Sequence, residues 1–261
     1  MIKNTLLILL SIVLLSLNFI NVDINEKLQF DQKEEFDPKL STLNSIDRLE
    51  QYIDSTANAD KVNKDSVDYI VKITKAIRLR FFHGFSHFTL KQNWIAAVGE
   101  KLVGYGLASK VRPDDIMHHA NAACSQQAMV MMEILRRKGF SYRSIGFPHH
   151  FALEVFVNES WYYFDPNMEP TITVDQRLES YWGQKADNLK QYYDTARFKD
   201  LDWKFGKNLN VTHGRINQKY ARNARLFQTT TSILSKILWV FPLIPLFYKR
   251  RNRQLPRYKK Q

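Results

Sequence analysis

At 261 residues, 44% hydrophobic and 25% charged, the chain carries enough apolar material for one domain with a packed core plus extensions, and its composition excludes a disordered or fibrous class. Its formal charge of +12 is unevenly placed: residues 203–261 hold 14 Lys/Arg and no acid, leaving 24 Lys/Arg against 26 Asp/Glu in the first 202. The basicity is a tail property beside an apolar segment, which argues against nucleic acid as a partner, and a single cysteine, Cys124, rules out an intrachain disulfide.

Residues 5–20, TLLILLSIVLLSLNFI, are uncharged and follow Lys3. No small-x-small cleavage pattern follows them, so residues 1–22 read as an uncleaved signal anchor. Residues 23–44 are polar and acid-leaning and read as a linker. From Ser45 the pattern turns helical in SIDRLEQYIDSTA, and a second run from Asp65 sets Val67, Ile70, Val71, Thr74 and Ile77 on one face. A third helix is expected from Leu90 to about Leu107, with Trp94, Val98, Leu102 and Tyr105 as its stripe. In NAACSQQAMVMMEILRRKG, Ala128, Met131, Met132 and Leu135 recur at helical spacing, Arg136 to Lys138 suit the negative end, and Gly139 suits a left-handed cap. Asn121 is the N-cap candidate, which puts Cys124 in the first turn.

SYRSIGF then reads as a strand, and residues 149–166, HHFALEVFVNESWYYFDP, as a hairpin. Residues 176–205 and 213–227 read as basic helices. Residues 206–228 form a basic juxtamembrane segment, 229–248 a second membrane segment that carries Lys236, Pro242 and Pro245, and 249–261 a basic tail. The positive-inside rule puts both termini in the cytoplasm and residues of about 23–225 outside the membrane, with membrane lipids as partners of the terminal segments. The second segment alternatively lies in the interface without spanning.

A thiol at a helix N-terminus meets unpaired N–H groups and the positive end of the dipole, both of which stabilise thiolate. A free cysteine, with pKa about 8.5, is roughly 3% thiolate at pH 7, and a pKa of 7 raises that to about half. A base is still required, and the hairpin supplies one. With an even turn, facing positions sum to 317, so Asp165 lies opposite Ala152 and His150 is its diagonal neighbour on the same face, about 7–8 Å away. An odd loop would throw the two onto opposite faces. On the even register Phe151, Leu153, Val155 and Val157 make the buried face, and the face with His150 and Asp165 is expected to be open. Cys, His and Asp in that order follow the logic of an activated nucleophile for acyl transfer.

NAACSQQAMVMMEILRRKGFSYRSIGF followed by HFALEVFVNESWYYFDP resembles the transglutaminase-like fold of the papain-like cysteine superfamily, over about residues 118–170. There a Cys starts a helix that ends at Gly, a strand follows, a His opens the next strand with an acid four residues on (Glu154), and W-x-x-x-D-P closes the hairpin (Trp161 to Pro166). The resemblance implies an α+β domain over 45–205, with N-terminal helices, a catalytic helix starting near the Cys and an antiparallel sheet, flanked by the membrane segments. It makes Cys124 the nucleophile, His150 the general base and acid, and Asp165 its orienter. Two positions depart from the pattern: Ala122 stands where a Gly is usual, and Ala152 where an aromatic is common. Oxyanion donors are expected from the Cys124 N–H and from among Gln92, Asn93, Trp94 and Asn121.

The function implied is a membrane-anchored thiol enzyme performing acyl transfer or hydrolysis on peptide or protein amides. The alternative is a catalytically silent scaffold that holds a peptide or glycan in the cell envelope. No cofactor is expected. The pairs His118-His119 and His149-His150 lack an acid or second Cys at ligand spacing, so no metal is expected either. Asn158-Glu159-Ser160 and Asn210-Val211-Thr212 fit the glycosylation sequon, a pattern common by chance.

Overall fold

The computed structural model of the protein describes residues 2–25, 30–31 and 34–248. The expected basic tail and residues 26–29 and 32–33 of the expected linker lie outside the described residues. The fold is mixed α+β. Its α-helices are α1 (Ile2–Ser16), α2 (Ile46–Ala59), α3 (Val67–Arg80), α4 (Leu90–Val103), α5 (Pro113–Ile116), α6 (Cys124–Arg137), α7 (Glu179–Trp182), α8 (Ala186–Lys190), α9 (Leu201–Phe205) and α10 (Arg222–Ile237). The strands are β1 (Ser141–Gly146), β2 (Phe151–Val157), β3 (Ser160–Phe164) and β4 (Thr212–His213). Among the described residues two compact units result: a body of residues 30–31, 34–86 and 110–221, and a second unit of residues 2–25, 87–109 and 222–248.

In the body, the hydroxyls of Ser45 and Ser66 accept the N–H groups of Arg48 and Tyr69, each at 3.3 Å, and start α2 and α3. α2 buries Ile46, Leu49 and Ile53, and α3 buries Ile70, Ile73, Thr74 and Ile77, which is the face that the sequence periodicity requires, except that Val71 is only half-buried. Both pack on α6, where Met129, Val130 and Ile134 are buried beside Ala128, Met131, Met132 and Leu135. α6 ends at Gly139, whose φ of 82° is a left-handed cap, with the Phe140 N–H returning to the Leu135 carbonyl at 3.0 Å.

Residues 36–43, expected as linker, are packed instead. The Asp37 N–H bonds the Leu79 carbonyl at 2.8 Å, Leu40 is buried, and Phe36 meets Phe30 and Phe82 at ring distances of 5.4 Å each. Arg80, buried at the end of α3, donates to the carbonyls of Leu43, His119 and Met117 at 3.0, 2.9 and 2.7 Å and ties these segments together. Burial of these few anchors outweighs the acidic composition around them.

The sheet is antiparallel in the order β3-β2-β1-β4. Leu153 faces Phe164 and Val157 faces Ser160, so the hairpin has the even register, closed by Asn158 and Glu159 with φ of 46° and 62°. Two consecutive positive φ values mark the two-residue turn whose twist suits a hairpin. α6 covers one face. The other face, expected to be open, is covered by the segment after β3: Trp182, Leu189, Tyr193 and Phe205 bury themselves against Ile145, Ala152 and Tyr163. That segment is not the helix expected over 176–205. It is short pieces, a 3-10 turn at Asp175–Arg177 and then α7, α8 and α9, broken where Gly183 and Asp200 take φ of 63° and 59°. The helix expected over 213–227 begins only at Arg222, because His213 pairs with Ile145 in β4.

In the second unit α4 opens with a capping box between Thr89 and Gln92 and kinks at Asn93 (φ −158°, ψ 80°). The kink turns Leu90, Asn93, Ala96 and Ala97 inward, while Leu102 and Tyr105 of the expected stripe stay 78% and 94% exposed. The helix stops at Val103 because Gly104 takes a φ of 72°. The Asn93 amide donates to the Thr231 and Ser232 hydroxyls at 2.8 and 3.1 Å, and Trp94 Nε1 to the Ser235 carbonyl at 2.9 Å, so α4 and α10 meet through polar groups. α10 continues through a 3-10 stretch, Leu238–Leu243 with Pro242 inside it, to Tyr248, and this helical run of 27 residues is by length and composition long and apolar enough to cross a membrane. The apolar helix Lys3–Phe19 is shorter, about 25 Å.

Candidate active site

The site is built at the start of α6. Its N-cap is Ala123 and not Asn121, whose side-chain amide is spent on the carbonyls of Gly84 and Phe85 at 3.2 and 2.8 Å. Gln126, fully buried, fixes the helix start. Its Oε1 accepts the N–H groups of Ser86 and Ala123 at 2.8 and 3.2 Å, and its Nε2 donates to the carbonyls of Ser86 and Lys110 at 3.0 and 2.8 Å. Cys124 is therefore the first helical residue, half-buried, with its backbone N–H among the donors that a helix start leaves without an intrahelical partner.

His150 immediately precedes β2 and Asp165 immediately follows β3, and the even register brings them together. His150 Nε2 lies 2.6 Å from Asp165 Oδ2, with both residues buried. The Cys124 side chain is near enough to the same imidazole that its hydrogen bonding and charge help to raise it. Because Nε2 is taken by Asp165, Nδ1 is the nitrogen left for the sulfur. Burial alone would push the His150 imidazole down, but the Asp165 charge and hydrogen bond, with those of Cys124, outweigh it and raise the imidazole to about 9. Burial would likewise push Asp165 up, yet its interactions with His150, the Met168 N–H and Tyr193 hold it below the usual carboxylate range. Asp165 is saturated: Oδ1 accepts the N–H groups of Asn167 and Met168 at 3.0 and 2.9 Å, and Oδ2 also accepts the Tyr193 hydroxyl at 2.8 Å.

Aromatic rings wall the imidazole. Phe205 lies 5.1 Å and Phe147 6.0 Å from it between ring centroids. Phe151, next to His150, packs on Tyr220 at 4.9 Å, and Tyr220 is near enough to Cys124 that burial and then the sulfur's charge raise its hydroxyl. His149 faces away, stacked on Trp203 at 3.9 Å with its N–H on the Lys204 carbonyl. On the Asp165 side lies a cavity of about 370 Å³ lined by Phe81, His83, Asn167, Met168, Phe198 and Lys204 among others. Of its charged lining residues, Arg78 and Arg197 are both paired with Glu35 at 2.8 Å. Gln92, Asn93 and Trp94, expected as oxyanion candidates, are committed within the second unit to the α4 cap and to α10. The sequence patterns do not mark Tyr163 or Tyr193 as site residues. Tyr163 shares the Asp165 face by strand alternation, but no local signal marks Tyr193, which arrives through the fold of residues 165–205.

Among the described residues, the grouped metal-ligand side chains are Glu154 of β2, His213 of β4 and Glu179 of α7. A cation already sits there: the Arg143 guanidinium is 2.6 Å from Glu154 and 2.7 Å from Glu179, and it stacks 4.4 Å above the Trp161 ring. Glu154 is completely buried, so removing Arg143 leaves its carboxylate with only His213, 3.3 Å away, to offset the charge. Arg143→Met is expected to cost about 3–5 kcal/mol in urea unfolding; an unchanged midpoint would show that the cluster holds no net charge interaction.

No family model, curated protein or solved structure matched the chain on comparison, so the reading of the site rests on its geometry.

Proposed function

We propose that the chain is a membrane-associated cysteine acyltransferase or amide hydrolase of transglutaminase-like type, acting on peptide or protein substrates. The observation that carries this reading is the buried His150–Asp165 pair beside the half-buried Cys124, in which a saturated carboxylate holds one imidazole nitrogen and leaves the other to serve the thiol. The Cys124 sulfur, as thiolate, attacks an amide carbonyl while its backbone N–H faces the developing oxyanion. The C–N bond breaks as His150 Nδ1 gives its proton to the leaving amine, and a thioester remains. Water or an acceptor amine then loses its proton to His150 and attacks the thioester, the C–S bond breaks, and the thiolate returns.

The test is labelling of the full-length protein by a peptide-linked haloacetamide. An adduct on Cys124 that is strongly reduced by His150→Ala is expected. No adduct in folded protein, or one indifferent to that change, removes the enzyme reading in favour of a binding scaffold.

We further propose that both termini are cytoplasmic, with the body on the other side of the membrane. The long apolar helix Arg222–Tyr248 and the basic residues that follow it support this placement. A phosphatase reporter fused after Gln261 is expected to be inactive, since it folds only outside the cytoplasm; an active reporter would overturn the orientation.

A further inference from the structure

We infer that Tyr193 and Tyr163 form a hydroxyl relay onto Asp165 that tunes how firmly it holds His150, which makes both tyrosines positioning residues of the proposed reaction. The inference rests on the reading of Asp165 as the orienter of His150.

Asp165 Oδ2 accepts two donors, His150 Nε2 at 2.6 Å and the Tyr193 hydroxyl at 2.8 Å, and the Tyr193 oxygen lies 2.7 Å from the Tyr163 hydroxyl. A carboxylate has no proton to give, so Tyr193 donates to Asp165 and must accept from Tyr163. The direction of the chain is thereby fixed: Tyr163 to Tyr193 to Asp165, with His150 donating from the other side. All four residues are buried. Burial and then the Asp165 charge hold both phenols well above their usual range, so neither titrates in the working range of the site. A donor that never ionises draws on the carboxylate charge that His150 would otherwise receive alone, and hydrogen bonds in series polarise one another.

Packing by itself does not need the hydroxyls. The Tyr193 ring lies 4.8 Å from Phe205 and the Tyr163 ring 5.9 Å from Trp182, positions that a phenylalanine would fill equally well. The other charged or titratable groups around the pair are Cys124 at the start of α6, His83 after α3, Lys204 in α9, the buried pair Glu169 and Arg177 after β3, and Tyr220 before α10. Tyr→Phe changes at 193 or 163 leave each of these in place.

The test is a histidine titration by NMR on the full chain in detergent, with ¹³C-labelled histidine and the His150 signal identified by its loss in His150→Gln. Tyr193→Phe is expected to raise the His150 midpoint by about half a unit to one unit, because Asp165 then spends more of its charge on the imidazolium. Tyr163→Phe is expected to raise it by less, and it carries the test alone if Tyr193→Phe does not fold. Midpoints that stay put or fall, with only a lower melting temperature, would overturn the relay and leave the tyrosines as packing. Labelling of wild-type Cys124 reads the enzyme proposal separately: an inert thiol with a shifted His150 midpoint removes the enzyme and keeps the relay.

Discussion

His150→Ala is expected to slow alkylation of Cys124 by iodoacetamide at pH 7 by about 10-fold. The variant loses the imidazole that takes the thiol proton and pairs with the sulfur, the interaction on which an activated nucleophile depends. The wild-type profile should carry an inflection near pH 9, where the imidazolium is lost, and the variant should lack it. The same titration governs stability. His150 lies above its unfolded value of 6.5, so its contribution is fully present below about pH 6.5 and is lost as pH rises through about 9. Asp165, held low, contributes above its unfolded value of 3.8 and loses that contribution as pH falls. Urea unfolding is therefore expected to be hardest near pH 5–6 and to weaken by on the order of 2–3 kcal/mol by pH 9.5. A wild-type midpoint indifferent to this window would contradict the raised imidazole.

Asp165→Asn is expected to damage both reactivity and folding. A neutral amide no longer stabilises the imidazolium, and by analogy with other triads the loss of acyl transfer is on the order of 10²–10⁴. The amide also has one acceptor oxygen where the carboxylate has two. Whichever way it turns, its NH₂ group faces either the Asn167 and Met168 N–H groups or the donors on His150 and Tyr193. At least one buried donor then loses its acceptor, because the Tyr193 hydroxyl can turn to accept but an N–H cannot, at a cost of about 1–3 kcal/mol in urea unfolding. Full stability with unchanged labelling would show that the carboxylate charge is not needed.

The legible parts of the sequence were those set by local rules. Ser45 and the apolar spacing after it gave α2, the run from Val67 gave α3, and Gly139 closed α6. The hairpin register followed from strand parity and an even turn, and it brought His150 and Asp165 together without tertiary information. Failures came where distant contacts override local preference. Asn121 has the chemistry of a cap, but two carbonyls 36 and 37 residues away claim its amide. The expected α4 stripe requires a straight helix, and the kink at Asn93 exists because α10 supplies partners for that side chain. Residues 176–205 carry apolar residues dense enough to suggest a helix, yet they are spaced to cover a sheet face. β4 is two residues long, too short for alternation to register.

The second unit draws on three separated stretches of chain, which has a consequence for biosynthesis. Once Asn93 is made, its partners in α10 are still 138 and 139 residues away along the chain, a delay of roughly 7–28 s at ordinary elongation rates. During that interval the body can complete its helix and hairpin while α4 waits with its polar face unmatched. A nascent chain stalled before residue 222 would thus hold all three residues of the Cys-His-Asp line and still present a unit that a quality-control protease could recognise as unfinished.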